Sequence, residues 1–199
     1  MTVAGNKLTR FAMTAALTVT GLAFGQTTVP RHKVLTPEQQ RYQAETAQWL
    51  KQSLALRIQA QAALAEETAR EKAGDCPNAD TTLATEQCLT EEITKTQSNY
   101  LTFVSSIRAM LALAHPTMPG EQPGSGPTAI PPSASERVAE FEQLEVHSKQ
   151  YRGEATRAAY NQYKGGTLAP VFAAQATQRL LRLHIQELAF IYEAELENR

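Results

Sequence analysis

The chain contains little cysteine, few aromatic residues and no excess of charge of either sign. Its 199 residues include 2 cysteines, 1 tryptophan and 7% aromatic residues, and 19 basic side chains face 20 acidic ones. Without a basic excess, the chain lacks the long-range attraction that brings proteins to phosphates, so nucleic acid is not an expected partner. Its length and its 42% hydrophobic content are typical of one globular domain with a buried core.

No apolar run is long enough to cross a membrane. The run at residues 11–24 follows the positive Lys7 and Arg10 and ends just before Gly25, whereas a spanning helix needs about 20 apolar residues. This pattern predicts a signal peptide at residues 1–25, and therefore a periplasmic or secreted protein with no stable membrane insertion after cleavage. A retained membrane anchor is the alternative, which the shortness of the run disfavours.

Export determines how the two cysteines are interpreted. An oxidising compartment favours a disulfide between Cys76 and Cys88, and closing this short loop contributes about 3 kcal/mol in the chain-entropy treatment. A metal site is the competing interpretation, but no histidine lies between or beside the two thiols, so a zinc ion would have only half of its ligands. We therefore expect a bonded pair and no metal.

Helix signals dominate the chain after the predicted signal peptide. Residues 36–39 have the form of a capping box, with Thr36 as N-cap and Pro37 in the first helical position. Since no Gly or Pro follows until residue 74, one long helix is predicted to end near Ala73. Alanines fill in its apolar stripe and permit close approach of a neighbouring helix. The stripe is Tyr42, Trp49, Leu50, Leu54, Ile58 and Leu64.

A second helix is predicted to start near residues 80–82, after a turn at residues 74–78. Its apolar residues recur at threes and fours, as in a helix packed on a core. They are Leu89, Ile93, Tyr100, Phe103, Val104, Ile107, Met110 and Leu111. Residues 115–133 are dominated by Pro, Gly and Ser and are predicted to form a flexible linker.

Two more helices are predicted beyond the linker. Ser133 and Glu136 indicate another capping box, and a turn at residues 164–167 ends the third helix. The fourth helix is predicted to run from near Pro170 toward Leu196. The residues expected to face inward on the third helix are Val138, Phe141, Leu144, Tyr151, Tyr160 and Tyr163. Those on the fourth are Leu181, Ile185, Leu188, Ile191 and Tyr192.

These elements predict an all-α fold, a disulfide-pinned bundle of about four helices. Two helical hairpins are joined by the Pro/Gly-rich linker, and short connections favour antiparallel neighbours. Residues 26–114 contain the long helix and the disulfide-linked hairpin. Residues 134–199 are expected to form the C-terminal hairpin of the same domain.

No arrangement of residues indicates catalysis. The histidines are His32, His115, His147 and His184. None has the two-histidine helical spacing of a zinc protease, and the glycine-rich stretches lack the context of a phosphate-binding loop. His147 and His184, on the two C-terminal helices, can approach each other in space, as can Glu142, Glu145 and Glu187, but a solvated surface position is the simpler interpretation. We therefore expect a protein that is not an enzyme and that has no cofactor.

Negative charge is concentrated around the predicted disulfide. Residues 65–95, which we call the acidic tip, contain eight acids and three bases. The acids are Glu66, Glu67, Glu71, Asp75, Asp80, Glu86, Glu91 and Glu92. A rigid acidic projection suits a basic protein partner, because opposite potentials speed encounter and set register. Glu86, Glu91 and Glu92 are the candidate partner-binding residues, and a merely soluble surface is the alternative.

Two short motifs contain the cysteines, and an Asn-Tyr dipeptide follows them on the predicted second helix. They are Gly74-Asp75-Cys76-Pro77-Asn78-Ala79, Thr85-Glu86-Gln87-Cys88-Leu89 and Asn99-Tyr100. Further on, Tyr151-Arg152 precedes the Gly165-Gly166 turn. This pattern resembles the LprI-like lysozyme inhibitor N-terminal domain family. Many relatives carry a second cysteine pair, near the positions of Thr156 and of Ala176 or Thr177, which this chain lacks.

The resemblance implies an exported helical domain that binds and blocks a lysozyme. Lysozymes are typically basic, so we expect inhibition through the acidic tip, placed over the cleft of the enzyme. The alternative is a non-catalytic envelope scaffold or assembly protein that associates through the long first helix.

Overall fold

The helices of the folded chain begin and end close to the residues that the sequence predicts. A computed structural model describes residues 35–120 and 132–197. Within them the helices are α1 (Pro37–Ala73), α2 (Thr82–Ala112), α3 (Ala134–Gln162), α4 (Ala169–Ile191) and α5 (Glu193–Glu197). The predicted signal peptide and residues 121–131 of the predicted linker lie outside the described residues. No helix in the described part is long and apolar enough to span a membrane.

Both predicted capping boxes are confirmed. The hydroxyl of Thr36 accepts from the backbone N–H of Gln39 at 3.2 Å, and the backbone N–H of Thr36 donates to Gln39 Oε1 at 3.0 Å. Ser133 and Glu136 make the same reciprocal pair at the start of α3. At the other end of α1, Gly74 has a φ of 81°, which glycine adopts without steric cost. These short-range contacts define where the helices start and stop.

The predicted disulfide between Cys76 and Cys88 is present, with a Cα–Cα distance of 5.9 Å. It joins the turn after α1 to the second turn of α2. Cys76 itself has a φ of 55°, a left-handed conformation that costs a non-glycine residue about 1–2 kcal/mol. The disulfide therefore holds a turn that the backbone alone would disfavour.

Helices α2 and α4 form the centre of the bundle, with α1 packed on α2 and α3 packed mainly on α4. The large side chains between them are almost wholly buried: Phe103 and Ile107 of α2, Phe141 of α3, and Ile185 and Leu188 of α4. All eight apolar positions predicted for α2 are buried or packed against this core. The all-α bundle and the core face of α2 are thus confirmed.

The predicted apolar stripe of α1 is wrong in its centre. Leu50, Leu54 and Ile58 are 50%, 52% and 57% exposed. The inward face carries Ala60 and Glu67 instead, together with Ser53 and Ala63. Ile58 and Glu67 are nine residues apart, which places them on opposite sides of an α-helix. Because Glu67 must face its polar partners on α2 and α4, these three exposed residues face away from the core, whereas Leu56 and Leu64 pack against it.

The predicted inward face of α3 holds only in its first half. Phe141 is buried and Val138 and Leu144 pack against the core, but Tyr151, Tyr160 and Tyr163 are 63%, 42% and 41% exposed. The polar contacts between α2 and α3 end at Arg152, so the later part of α3 has mainly α4 to cover it. The tyrosines therefore remain at the surface.

The chain turns at Tyr192, where a single helix to Leu196 was predicted. Tyr192 packs edge-on against Phe141 with a ring centroid distance of 5.5 Å, and the turn brings Leu196 into the core at 5% exposure. The last helical carbonyl groups accept hydrogen bonds from Arg57 and Gln61 of α1. Ile191, predicted to be inward, is 48% exposed, so the prediction is wrong at this position.

Candidate functional site

The acidic tip presents less charge to solvent than its composition indicates. Glu67, Asp75 and Glu92 form ion pairs with arginines. Glu92 Oε2 lies 2.6 Å from Arg70 Nη2, and Glu92 Oε1 lies 2.7 Å from Lys95 Nζ. Its side chain is 20% exposed. Glu92, predicted as a partner-binding residue, is therefore engaged within the fold.

Glu67 is the centre of a buried ionic network that joins α1, α2 and α4. Its Oε1 accepts from Arg182 Nε and Thr96 Oγ1, both at 2.7 Å. Its Oε2 accepts from Arg70 Nη1 at 2.7 Å and from Asn99 Nδ2 at 3.0 Å. With four donors on one carboxylate that is 3% exposed, the charge is fully paired, as burial requires.

Arg182 extends the network to the turn beside the disulfide. Its two terminal nitrogens donate to the two carboxylate oxygens of Asp75 at 2.6 and 2.8 Å. This bidentate geometry fixes orientation as well as contributing energy. The end of α1 and the turn after it are thus anchored to α4 by Arg182 and to α2 by Arg70 and the disulfide.

Hydrogen bonding determines the charge of these carboxyl groups. Burial raises the pKa of Glu67, but hydrogen bonds from Arg182, Thr96 and Asn99 outweigh burial and hold the pKa below its usual value. Hydrogen bonds from Arg70 and Lys95 likewise lower the pKa of Glu92. Both groups are therefore anionic at neutral pH and act as fixed acceptors within the protein.

The predicted residues Glu86 and Glu91 have a different environment on α2. They belong to a strip with the spacing i, i+3, i+4, i+7 and i+8, which is one continuous side of a helix. We call this strip the outer face of α2; it consists of Leu83, Glu86, Gln87, Thr90 and Glu91. Leu83 is 64% exposed. Among the described residues neither glutamate has an ion-pair partner.

A cavity of about 630 Å³ opens beside the disulfide, between α2 and α4. Its lining includes Asp75, Leu89 and Arg179, and also Gln178, which is 2% exposed. The amide of Gln178 donates to Asp75 at 3.3 Å, whereas its Oε1 has no hydrogen-bond partner among the described residues. The lining of this cavity therefore includes one buried acceptor, Gln178 Oε1, that has no partner among the described residues.

A second buried network surrounds His184, which is 3% exposed. His184 Nε2 lies 2.7 Å from Glu145 Oε1, and Nδ1 lies 2.9 Å from Glu187 Oε2. Carboxylates accept hydrogen bonds, so both contacts can form together only when both ring nitrogens carry protons. Of the residues named from the sequence as able to approach one another, Glu145 and Glu187 contact His184, and the predicted surface position of His184 is wrong. His147 is exposed.

Tyr100 connects this network to α2. Its hydroxyl donates to Glu145 and accepts from Arg152 Nη2 at 3.0 Å, and the Arg152 guanidinium lies 5.0 Å from the ring centroid. Burial and the hydrogen bond to Glu145 raise the pKa of Tyr100 to about 12. Burial raises the pKa of Glu145, but hydrogen bonds from His184 and Tyr100 outweigh it and lower that pKa overall. The cluster holds α2, α3 and α4 together.

Arg70, Thr96, Asn99 and Arg182 were not predicted from the sequence as members of a buried network. A signal for them exists: Thr96 and Asn99 lie on the core side of the α2 stripe, and Arg182 interrupts an apolar run in α4. Polar side chains in such positions need buried partners. Within the described residues, no group of three or more His, Cys, Asp or Glu side chains is arranged to hold a metal ion.

Comparison with protein-family models, curated proteins and solved structures finds no match to this chain.

Proposed function

We propose that this protein is exported, is not an enzyme, and binds a basic protein through the outer face of α2. The partner that we propose is a lysozyme, which the bound domain inhibits. The exposed side of α2 provides the contact surface, and the disulfide and the arginine contacts hold that surface in place.

The observation that carries the proposal is that Glu86 and Glu91, which have no ion-pair partner among the described residues, lie on the same strip of α2 as the exposed Leu83. Elsewhere in the acidic tip, Glu67, Asp75 and Glu92 are neutralised by arginines within the fold. An exposed leucine followed along the same strip by two carboxylates combines an apolar anchor with charged neighbours, which is a common arrangement in protein interfaces. A basic partner would complement this charge.

Pre-organisation supports the same assignment. The disulfide connects the turn to α2, and Arg70 contacts both the carboxylate and the backbone carbonyl of Glu92. A surface that is already ordered loses less conformational entropy when a partner binds.

The identity of the partner rests on the resemblance to the LprI-like lysozyme inhibitor family. Asp75, Asn99, Tyr100 and Arg152, which contribute to that resemblance, all belong to the two buried networks. Thr156 and Thr177, near the positions where relatives carry a second disulfide, have hydroxyl groups 3.1 Å apart. Both observations agree with a shared fold.

The test is binding of the oxidised protein to immobilised lysozymes of several classes, followed by a cell-lysis assay with and without reductant. Glu86→Lys/Glu91→Lys is expected to weaken binding about tenfold or more, because two attractive charges become repulsive. Glu92→Lys is unsuitable as a test, since it also breaks the contacts with Arg70 and Lys95.

The matched control is Glu38→Lys/Glu140→Lys, which changes the net charge by the same amount at exposed positions on α1 and α3. It should bind like the parent protein. Equal binding by the two double variants would remove the outer face of α2 from the proposal. Failure to bind or inhibit any lysozyme class would remove lysozyme as the partner.

A further inference from the structure

Helix α1 has an exposed apolar side that the bundle does not cover. Leu50, Leu54 and Ile58 follow one another at intervals of four residues and are each at least half exposed. The same side continues through the small exposed residues Ala62 and Ala65 toward the end of the helix. Contiguous apolar surface of this kind is typical of an interaction site in an otherwise polar protein.

The order of side-chain sizes along this side favours an antiparallel partner helix of the same sequence. On this side, large apolar residues occupy positions 50, 54 and 58, and alanines occupy positions 62, 65 and 69. An antiparallel second copy places the large residues of one chain against the alanines of the other, so that the two surfaces interdigitate. A parallel copy would place large against large and leave the alanine segments facing one another.

Charged residues of α1 also favour the antiparallel direction, and they set the register of the two helices. Lys51 and Glu66 are exposed on α1, and neither has an ion-pair partner among the described residues. In an antiparallel pair centred near Ile58, Lys51 of each copy lies opposite Glu66 of the other. In a parallel pair each would face its own like charge, which is destabilising.

We propose that the protein forms an antiparallel homodimer through α1, with Ile58 near the two-fold axis. The interface is isologous and therefore closed, so assembly stops at two chains. Ser53, Ala60, Ala63 and Glu67 face the rest of the bundle from the other side of α1, and the outer face of α2 is not part of this contact. Dimerisation and partner binding are consequently separable.

Sedimentation or light scattering of the oxidised full chain over a wide concentration range tests the assembly. The expected mass is twice that of one chain. Leu54→Glu/Ile58→Glu should yield monomers, whereas Leu101→Glu, at a 56% exposed position on α2, should remain dimeric. Circular dichroism shows whether each variant is folded. A monomeric parent at every concentration, or a dimeric Leu54→Glu/Ile58→Glu variant, would overturn the proposal.

Cysteine cross-linking tests the direction. The native cysteines are bonded to one another, so an added cysteine is the reactive thiol. Ile58→Cys should form a covalent dimer on mild oxidation, and Ala47→Cys alone should not, because its counterpart lies at the far end of the interface. Mixing Ala47→Cys with Ala69→Cys should restore cross-linking. A covalent Ala47→Cys homodimer would establish a parallel arrangement and refute the proposed one.

A charge swap tests the register. Lys51→Glu should weaken the dimer, and Lys51→Glu/Glu66→Lys should restore it, since the opposite pair is re-formed. Equal dimer stability in the parent, the single variant and the double variant would show that these charges do not face each other.

Discussion

Replacement of Arg182 by methionine is the sharpest test of the buried ionic network. Arg182 is 6% exposed and donates once to Glu67 and twice to Asp75 at 2.6–2.8 Å. Removing one partner of a buried ion pair costs about 3–5 kcal/mol, because the other charge stays buried. Glu67 keeps its remaining donors and Asp75 is partly hydrated at 22% exposure, so the expected loss is about 3 kcal/mol.

Urea unfolding of the oxidised protein measures this loss. With a denaturant slope of about 2 kcal/mol/M, the midpoint should fall by about 1.5 M. The control is Arg108→Met, which removes a pair with Glu142 whose side chains are about half exposed and should cost about 0–1 kcal/mol.

Substitutions at Arg182 and Glu67 should also have non-additive effects on the free energy of unfolding. In the Arg182→Met background, Glu67→Gln should destabilise less than in the parent, or even stabilise, because it removes the unpaired charge. A loss for Arg182→Met no larger than that for Arg108→Met, or simple additivity of the changes at Arg182 and Glu67, would contradict a buried ionic network.

Three further measurements follow from the same contacts. The pKa of Glu67 is lowered in the fold, so the ionised Glu67 stabilises the folded protein. This stabilisation is complete above the unfolded pKa of about 4.3 and is lost as the pH falls through the lower folded pKa. A urea midpoint unchanged between neutral pH and pH about 3 would contradict this. Thr156→Cys/Thr177→Cys should form a second disulfide and add about 3 kcal/mol to the free energy of unfolding, and persistence of two free thiols in a thiol assay after oxidation would count against it. Leu196→Ala should cost about 2–5 kcal/mol through a core cavity, whereas Ile191→Ala should cost about 0.5 kcal/mol or less; equal losses in thermal unfolding would disprove the burial assigned to the turn after α4.

The two proposals use different surfaces and fail independently. The proposed inhibition of lysozyme depends on Glu86 and Glu91, while the proposed dimerisation depends on Leu54 and Ile58. A dimer would present two copies of the outer face of α2, which increases avidity for a surface carrying several partners. A monomer that still inhibits lysozyme would leave the first proposal intact.

Much of the secondary structure could be predicted because its signals are local. The capping boxes at Thr36 and Ser133 each act within one helical turn, and Gly74 ends α1 through its own backbone conformation. The disulfide was equally accessible, since it involves the chain's two cysteines. The core side of α2 could be predicted from the spacing of its apolar residues. That helix packs against several others, so its apolar residues are buried.

The candidate site was predicted only in part. Glu86 and Glu91 lie on one strip of α2, where Glu86 is partly buried and Glu91 is exposed, whereas Glu92 is paired with Arg70. Acidic composition does not distinguish these cases, because a carboxylate on the surface and one beside an arginine look identical in the sequence. The distinction depends on which helix lies next to each side chain.

By itself, the sequence determined the helices, their approximate ends and the pairing of the two cysteines, since these depend on residues near each other in the chain. Only the tertiary structure decided which side of α1 faces the core, where the last helix turns, and which acids are neutralised. Glu67 and Arg182 are 115 residues apart, and a contact over that separation forms only when α1, α2 and α4 pack together. That contact directs Glu67 inward, and helical geometry then places Ile58 on the opposite, exposed side of α1.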